Sequence, residues 1–238
     1  MRPMSKDPIR ECLEQAIPHP VCELRHESAW QLLVATILSA QATDKRVNQV
    51  TPELFRRWPT PAALGAASQE DVEEVVRTTG FFRNKARAIR EASQQLVERF
   101  DGEVPQTVAE AVTLRGVARK TANLVLGTAL GIAEGIAVDT HVARVSMRLG
   151  LTAEKSPVKV ERDLCARYPR ETWVDMGHRL LLHGRYVCVA RKPRCVGCPL
   201  NEVCPSAEAS PEGSVEDRLR AEQERVEEAI RASGGGDS

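Results

Sequence analysis

Four cysteines lie close together near the C-terminus of the chain. Cys188, Cys195, Cys198 and Cys204 follow the spacing C-x6-C-x2-C-x5-C, whereas the other three cysteines stand singly in the preceding sequence. Core packing does not explain this grouping, because a free cysteine in a core behaves as a small hydrophobic residue. Several thiolates on short loops are typical of a soft metal centre, either an iron–sulfur cluster or zinc. The spacing therefore predicts a metal site and leaves both metals open. A disulfide pair and a chance grouping are the two alternatives.

Two adjacent cations begin a predicted helix in the middle of the chain. A glycine-containing turn around Gly116 precedes Arg119 and Lys120, which fall in the first turn of the next helix. Free amides at a helix N-terminus attract an anion, but they also disfavour a cationic side chain there. The pair is therefore interpreted either as two solvated cations or as an anion site in which the Lys120 amine is kept reactive.

Asp139 has two possible roles. It follows a short apolar stretch and precedes a helical pattern, so that Asp139 or Thr140 is expected to be the N-cap. Capping alone would explain an aspartate at this position. The functional interpretation is a carboxylate that faces the Lys120 amine across a cleft and moves protons.

The elements that must position these residues are helical in pattern almost throughout. Apolar residues recur at helical spacing, and only residues 135–138 resemble a strand, so the sequence predicts an all-α fold of about ten helices. The expected helices cover residues 28–41, 44–58, 69–78, 83–100, 107–114, 118–130, 139–149, 158–168 and 171–186.

Charge is unevenly distributed along a chain of 238 residues that is neutral overall. Residues 205–238 hold nine acidic residues and four arginines, a net charge of −5, so the preceding part carries +5. Residues 205–214 are expected to form a linker, 214–232 a solvated helix or disorder, and 234–237 a flexible end. The sequence has no apolar run long enough to cross a bilayer and no secretory signal, which with unpaired thiols predicts a reducing cytoplasm.

Together these motifs resemble the endonuclease III family, the helix–hairpin–helix (HhH-GPD) DNA glycosylases with an iron–sulfur cluster. The likeness spans about residues 8–204. It is carried by the four cysteines and by LSAQATD at 38–44, GEVP at 102–105, RKTAN at 119–123, VDTH at 138–141 and HGRY at 183–186.

The resemblance implies two helical domains flanking a DNA-binding cleft, with a helix–hairpin–helix motif and a C-terminal cluster loop. Residues 23–133 would form a six-helix barrel domain containing the hairpin. Residues 1–22 plus 134–204 would form the iron–sulfur domain, and residues 205–238 an acidic tail, helical or disordered. The implied cofactor is a 4Fe–4S cluster on the four cysteines.

The resemblance also implies an activity in DNA base-excision repair. The enzyme would be a DNA glycosylase and AP lyase that removes oxidised pyrimidines and nicks the strand by β-elimination, with Lys120 as nucleophile and Asp139 as the essential carboxylate. Its partner would be double-stranded DNA with a damaged base or abasic site. It is expected to be a monomer, away from membranes, in the cytoplasm at the nucleoid.

Several further residues are expected to contact DNA. Gln41 would fill the gap left by an extruded base, and Phe81 would act as an apolar wedge at the opposite DNA strand. Alternatively, Phe81 and Phe82 could equally be a core pair. The remaining contacts implied are Lys85, Arg115, Gly116, Ala118, Arg119, His141 and Arg185, with Arg83 as a further phosphate candidate.

The hairpin departs from the usual family pattern, Leu-Pro-Gly-Val-Gly. Arg115 stands where proline is usual and Ala118 where the second glycine is usual, which predicts a looser hairpin partly compensated by a guanidinium–phosphate pair. This departure keeps open a DNA-binding or redox-sensing protein with little catalysis. Two other glycosylase classes are competing assignments. Adenine-mismatch glycosylases use no lysine like Lys120, and 8-oxoguanine glycosylases generally lack the four clustered cysteines.

Overall fold

The computed structural model describes residues 7–233, and all regular structure within that range is helical. No strand occurs there, not even at residues 135–138, so the predicted all-α fold is confirmed. None of the described helices is long and apolar enough to cross a membrane. The α-helices are α1 Pro8–Ala16, α2 Ala29–Leu38, α3 Asp44–Arg57, α4 Pro61–Ala66, α5 Gln69–Val76, α6 Phe82–Phe100, α7 Val108–Ala111, α8 Arg119–Leu130, α9 Thr140–Arg148, α10 Pro157–Arg167, α11 Trp173–Tyr186 and α12 Val215–Ser233.

Local sequence explains where many of these helices begin. A hydroxyl side chain at the N-cap accepts a hydrogen bond from a backbone amide in the first turn, which satisfies one of the four unpaired donors at each helix start. Such a cap stabilises a helix by about 1 kcal/mol. The hydroxyl caps of this type, on α2, α3, α4, α5 and α7, are Ser28, Thr43, Thr60, Ser68 and Thr107.

The chain divides into two compact units, of which the first comprises Cys22–Glu134 together with Ser233. We call it the hairpin unit. Its central helix is α2, which is apolar on nearly all sides and is buried from Trp30 to Leu38 except for Gln31. A helix that is apolar all round is typical of the middle of a core. Helices α3, α6 and α8 pack around it.

The second unit comprises residues 7–21 and 135–232 and is called the cluster unit. Helices α9 and α11 pack closely within it. Gly184 permits this approach, because a Cβ at that position would lie 3.0 Å from the Cβ of His141 and 3.0 Å from Cγ2 of Val145. The glycine of the HGRY motif is therefore required by helix packing.

The acidic tail contains a helix, as one of the two sequence-based alternatives has it, but the helix is partly buried rather than solvated. Its residues 215–233 form α12, which packs in the cluster unit with Ala16, Ile17 and Leu182. The expected flexible end at 234–237 lies outside the described residues. The buried face of α12 has a regular four-residue spacing and consists of Arg218, Glu222, Val226 and Ile230.

Candidate active site and cluster site

Gly116 forms the turn of the hairpin between α7 and α8. Its φ is +78°, in the left-handed region that residues with a Cβ rarely adopt. A Cβ there would also lie 3.0 Å from the Cβ of Ala88, an atom fixed to the backbone of α6. Both the backbone angle and the close approach of α6 therefore require glycine.

Replacing Gly116 with alanine tests this requirement. We expect Gly116→Ala to lower the free energy of unfolding by about 2 kcal/mol, because left-handed strain and overpacking add. Gly102→Ala is the matched control, since Gly102 has φ +83° but no neighbour within 4 Å of the added Cβ. It should lose only about 1 kcal/mol. Equal losses in denaturant unfolding would mean that Ala88 moves aside freely.

The rest of the hairpin carries none of the strain expected from its unusual residues. Ala118 has φ −93° and ψ 165°, an extended conformation open to any residue. The backbone N–H of Arg115 donates to Oε1 of Gln95 at 2.8 Å, and its Nε lies 3.5 Å from Oε2 of Glu91. The sequence-based expectation of a looser hairpin is therefore corrected: two side chains of α6 hold its start.

Lys120 lies in the first turn of α8, and its side chain is exposed. No other residue of the described chain pairs with its amine. The N-cap of α8 is Ala118, which provides no side-chain hydrogen bond to the first turn of the helix. An uncapped helix start of this kind is suited to an anion, and Lys120 stands directly beside it.

Asp139 is the N-cap of α9. Its Oδ1 accepts hydrogen bonds from the backbone amides of His141 and Val142, each at 2.8 Å. A single carboxylate oxygen thus makes both cap bonds, and Oδ2 lies outside the cap. The ring Nδ1 of His141 lies 3.3 Å from Arg144, so the His141 ring belongs to the same end of α9. Asp139 belongs to the cluster unit, whereas Lys120 belongs to the hairpin unit.

The two residues expected to enter the DNA base stack share an uncommon backbone conformation. Gln41 has φ +56° and Phe81 has φ +46°, and in the described chain only Asp101 and Lys192 among non-glycine residues also have positive φ. Phe81 is 65% exposed, whereas Phe82 packs against the core of the hairpin unit. Strained backbone in an exposed aromatic residue is typical of functional sites.

Lys85 does not fit its predicted role as a phosphate contact. It is 6% exposed, and its Nζ donates to the carbonyl of Thr79 at 2.6 Å. Burial lowers the pKa of this amine. Lys85 therefore braces the turn before α6, and the nearby exposed cation is Arg83, whose side chain is 79% exposed.

The four clustered cysteines line one cavity in the cluster unit, together with Arg148 and His183. All seven cysteines lie in the described range, and none of them forms a disulfide there. No three His, Cys, Asp or Glu side chains of the described chain are arranged to hold a single metal ion. Four thiols around one cavity fit a soft metal centre, of which an iron–sulfur cluster is one kind.

Hydrogen-bond donors face the sulfur atoms of this cavity. Arg148 donates to Sγ of Cys188 at 3.3 Å, and the backbone N–H of Glu208 donates to Sγ of Cys195 at 3.5 Å. Nε2 of His183 lies 4.0 Å from Sγ of Cys198. Burial raises the pKa of the Cys188 thiol, but His183 and Arg148 outweigh it, so that the pKa lies below its usual range. The Arg148 side chain and the Glu208 amide can stabilise the negative charge of a bound cluster, and at Cys188 the thiolate is favoured.

Sequence reasoning missed Arg148, although a signal was available. Arg144 and Arg148 stand four residues apart on α9 and therefore share one face. Arg144 donates to the carbonyl of Gly184 at 2.7 Å, and Arg148 donates to the carbonyl of Val189 at 2.8 Å. Both arginines thus support the start of the cysteine segment, and Arg148 also contacts a sulfur atom.

Comparisons with known proteins agree with this arrangement. Residues 34–170 match the HhH-GPD superfamily of base excision DNA repair proteins, and residues 188–204 match the iron–sulfur binding domain of endonuclease III. Endonuclease III of Synechocystis is 52% identical over 83% of this chain and 90% of its own length. Endonuclease III of Escherichia coli K12 is 44% identical over 81% of this chain and 90% of its own length.

Solved structures show the same relationship. A trapped endonuclease III–DNA covalent intermediate is 42% identical, covers 84% of this chain and 96% of its own, and superposes with a TM-score of 0.79. A non-covalent endonuclease III–DNA complex is 41% identical, covers 90% of this chain and 97% of its own, and also gives a TM-score of 0.79. The chain therefore belongs to the endonuclease III family of base-excision DNA repair enzymes, which are DNA glycosylases and AP lyases carrying a 4Fe–4S cluster.

Proposed function

We propose that this enzyme removes oxidised pyrimidines from double-stranded DNA and cleaves the resulting abasic site, with Lys120 as its nucleophile. The observation that carries this proposal is the exposed Lys120 amine, without a partner in the described chain, at the uncapped start of α8. We further propose that it acts as a monomer on nucleoid DNA in the cytoplasm, and that the four cysteines at 188, 195, 198 and 204 each supply one cluster ligand.

The proposed reaction begins with attack of the neutral Lys120 amine on C1′ of the deoxyribose. The C1′–N bond breaks, and its electron pair leaves with the base, which takes up a proton. The nitrogen then uses its lone pair to form a Schiff base with C1′, while the C1′–O4′ bond breaks and its electron pair stays on O4′, which takes up a proton. Loss of a C2′ proton then lets the C3′–O bond break and expels the 3′ phosphate. Water finally hydrolyses the Schiff base and returns the Lys120 amine.

In this proposal Asp139 acts on protons and charge. Its Oδ1 is held by the two amides of the cap, which fixes the carboxylate, while Oδ2 lies outside the cap. A fixed carboxylate can accept the proton that the attacking amine loses and can stabilise positive charge developing on the sugar. An aspartate held by two amides is well suited to this role because its carboxylate does not have to reorient during the reaction.

DNA is proposed to be held by residues of both units. Gln41 and Phe81 would occupy the space left by the extruded base, which explains why two strained residues remain exposed. The start of α8, which has no side-chain cap, would bind a phosphate together with Gly116. The proposed side-chain contacts are Arg115, Arg119, His141 and Arg185.

A division of labour between the domains follows from these assignments. We propose that the hairpin domain at 23–133 supplies the nucleophile and the residues that enter the base stack. The iron–sulfur domain, from 1–22 plus 134–204, supplies the carboxylate and the cluster. In this proposal the segment 205–238 takes no part in the chemistry.

The contact of Arg115 with phosphate is tested by salt dependence. We expect Arg115→Gln to reduce the slope of log affinity against log salt by about 0.9, the value for one phosphate contact on duplex DNA. Glutamine keeps the backbone N–H that donates to Gln95. Arg56→Gln is the control, because Arg56 is also an exposed arginine paired with a glutamate, Glu53. An unchanged slope in Arg115→Gln would remove Arg115 from the interface.

The substrate class is tested with a panel of lesion duplexes. We expect fast excision of oxidised thymine or cytosine, followed by strand cleavage. Excision of 8-oxoguanine and of mismatched adenine should be at least about a hundredfold slower. Preference for mismatched adenine without strand cleavage would point to the mismatch-glycosylase alternative. Tight DNA binding with no excision of any base would favour a redox-sensing DNA-binding protein.

A further inference from the structure

Helix α12 buries two charged residues that the proposed reaction does not use. Arg218 is 3% exposed and Glu222 is fully buried, and they stand one helical turn apart on the face directed into the cluster unit. Burying a charged side chain is costly unless partners compensate it. The residues that compensate the charges of Arg218 and Glu222 therefore indicate the role of the helix.

The partner of Glu222 is His183. Nδ1 of His183 lies 2.7 Å from Oε1 of Glu222, and both side chains are almost completely buried. The other ring nitrogen of His183, Nε2, faces Sγ of Cys198 at 4.0 Å. A carboxylate bound to one ring nitrogen fixes the orientation of the ring and so directs the opposite nitrogen. Glu222 is thus two contacts away from a proposed cluster ligand.

The partners of Arg218 lie on the cysteine segment and next to it. One guanidinium nitrogen donates to Oε1 of Glu202 at 2.7 Å, and another donates to the carbonyl of Gly213 at 2.7 Å. Glu202 belongs to the short 3₁₀ helix Asn201–Val203, between Cys198 and Cys204. Arg218 therefore fastens α12 to the loop that carries the last two cysteines.

Helix α12 lies outside the residues that the two family models match. The match to the iron–sulfur binding domain ends at residue 204, and α12 begins only at Val215. The cysteine spacing, the cavity and the sulfur-facing Arg148 are all complete without it. The contacts of Arg218 and Glu222 are therefore an addition to the cluster site.

We propose that α12 retains the iron–sulfur cluster, with Glu222 positioning His183 against Cys198 and Arg218 fixing the Cys198–Cys204 loop through Glu202. Cys198 and Cys204 lie at the two ends of this loop, so we expect opening of the loop to separate them and to release the cluster. Contacts from outside the ligand shell of a metal site change its retention by about tenfold to a hundredfold. The helix therefore acts on the lifetime of the cluster rather than on its assembly or on base excision.

The test follows the visible absorption of the cluster in the purified full-length holoprotein during exposure to a chelator and oxygen. We expect Glu222→Ala to lose the absorption about tenfold faster than the parent, while its far-UV circular dichroism persists. Glu222→Gln should recover most of the retention, because its side-chain oxygen can still accept a hydrogen bond from His183. Glu224→Ala is the matched control, an exposed glutamate on the same helix, and should behave as the parent.

A double-mutant cycle separates positioning from simple helix stability. If Glu222 acts through His183, Glu222→Ala should have no further effect in a His183→Ala background. An independent tenfold effect in that background, or loss no faster than in Glu224→Ala, would overturn the proposal.

A second variant covers the case in which Glu222→Ala does not fold. The side chain of Glu202 is 57% exposed, so Glu202→Gln should leave the fold intact while weakening the bond to Arg218. We expect its cluster to be lost severalfold faster than that of Glu224→Gln. Equal rates for these two charge-matched variants would also contradict the proposal.

Discussion

Lys120→Ala should lower the rates of base excision and strand cleavage by about 10⁴-fold or more. Both activities fall together because one amine forms the covalent bond on which each depends, and loss of a nucleophile is among the most damaging changes to an enzyme. The side chain of Lys120 is exposed and pairs with no other described residue, so stability and cluster absorption should remain those of the parent. Single-turnover cleavage of a duplex with one oxidised thymine measures the effect.

The control for this variant is Lys155→Ala, which also removes one exposed lysine. It should cleave at the parental rate. If Lys120→Ala retained excision but lost strand cleavage, water rather than Lys120 would displace the base, and the role of Lys120 would be limited to the lyase step.

Asp139→Asn should lower the rate of excision by about 10²- to 10⁴-fold with little change in stability. Asparagine caps helices as well as aspartate does, so the amides of His141 and Val142 keep an acceptor. The amide cannot accept a proton, which removes the chemical role alone. Single-turnover excision and denaturant unfolding, measured on the same preparation, separate the two functions.

Asp139→Ala completes this comparison because it removes both the cap and the carboxylate. It should match Asp139→Asn in activity and lose about 1 kcal/mol of stability in addition. Full excision by Asp139→Asn, together with a destabilised Asp139→Ala, would leave capping as the whole role of this residue.

The helical fold could be predicted because its elements repeat apolar residues regularly and have clear caps. The structure confirms a helix at each predicted position, such as α2 after Ser28 and α3 after Thr43. Helix α4 was missed because it has six residues, too few to show a period, although Thr60 followed by Pro61 was a usable start signal.

The burial of α12 was not predicted, for a different physical reason. Its pattern of apolar residues is thin because two positions of its buried face are Arg218 and Glu222. Charged residues are ordinarily exposed, and a sequence does not reveal which of them find a buried partner. Only the fold brings His183 to Glu222 and Glu202 to Arg218.

Some site residues could be placed from the sequence, whereas the positions of others depend on the tertiary structure. Lys120 and Asp139 lie at the starts of two helices, and turn and cap residues in the sequence predict both starts. The choice between Phe81 and Phe82 as the exposed ring depends on a left-handed backbone at Phe81, which its residue type disfavours and the sequence could not predict. Lys85 was assigned by its charge alone, and its burial beneath Thr79 is a property of tertiary packing.

Borohydride trapping followed by peptide mapping tests the central claim most directly. Reduction converts a Schiff base between enzyme and sugar into a stable amine, so the enzyme should become covalently attached to a duplex that contains an oxidised pyrimidine. After proteolysis, mass spectrometry should place the sugar remnant on the peptide that contains Lys120. A remnant on another amine, or base excision without any trapped complex, would contradict the assignment of Lys120 as the nucleophile.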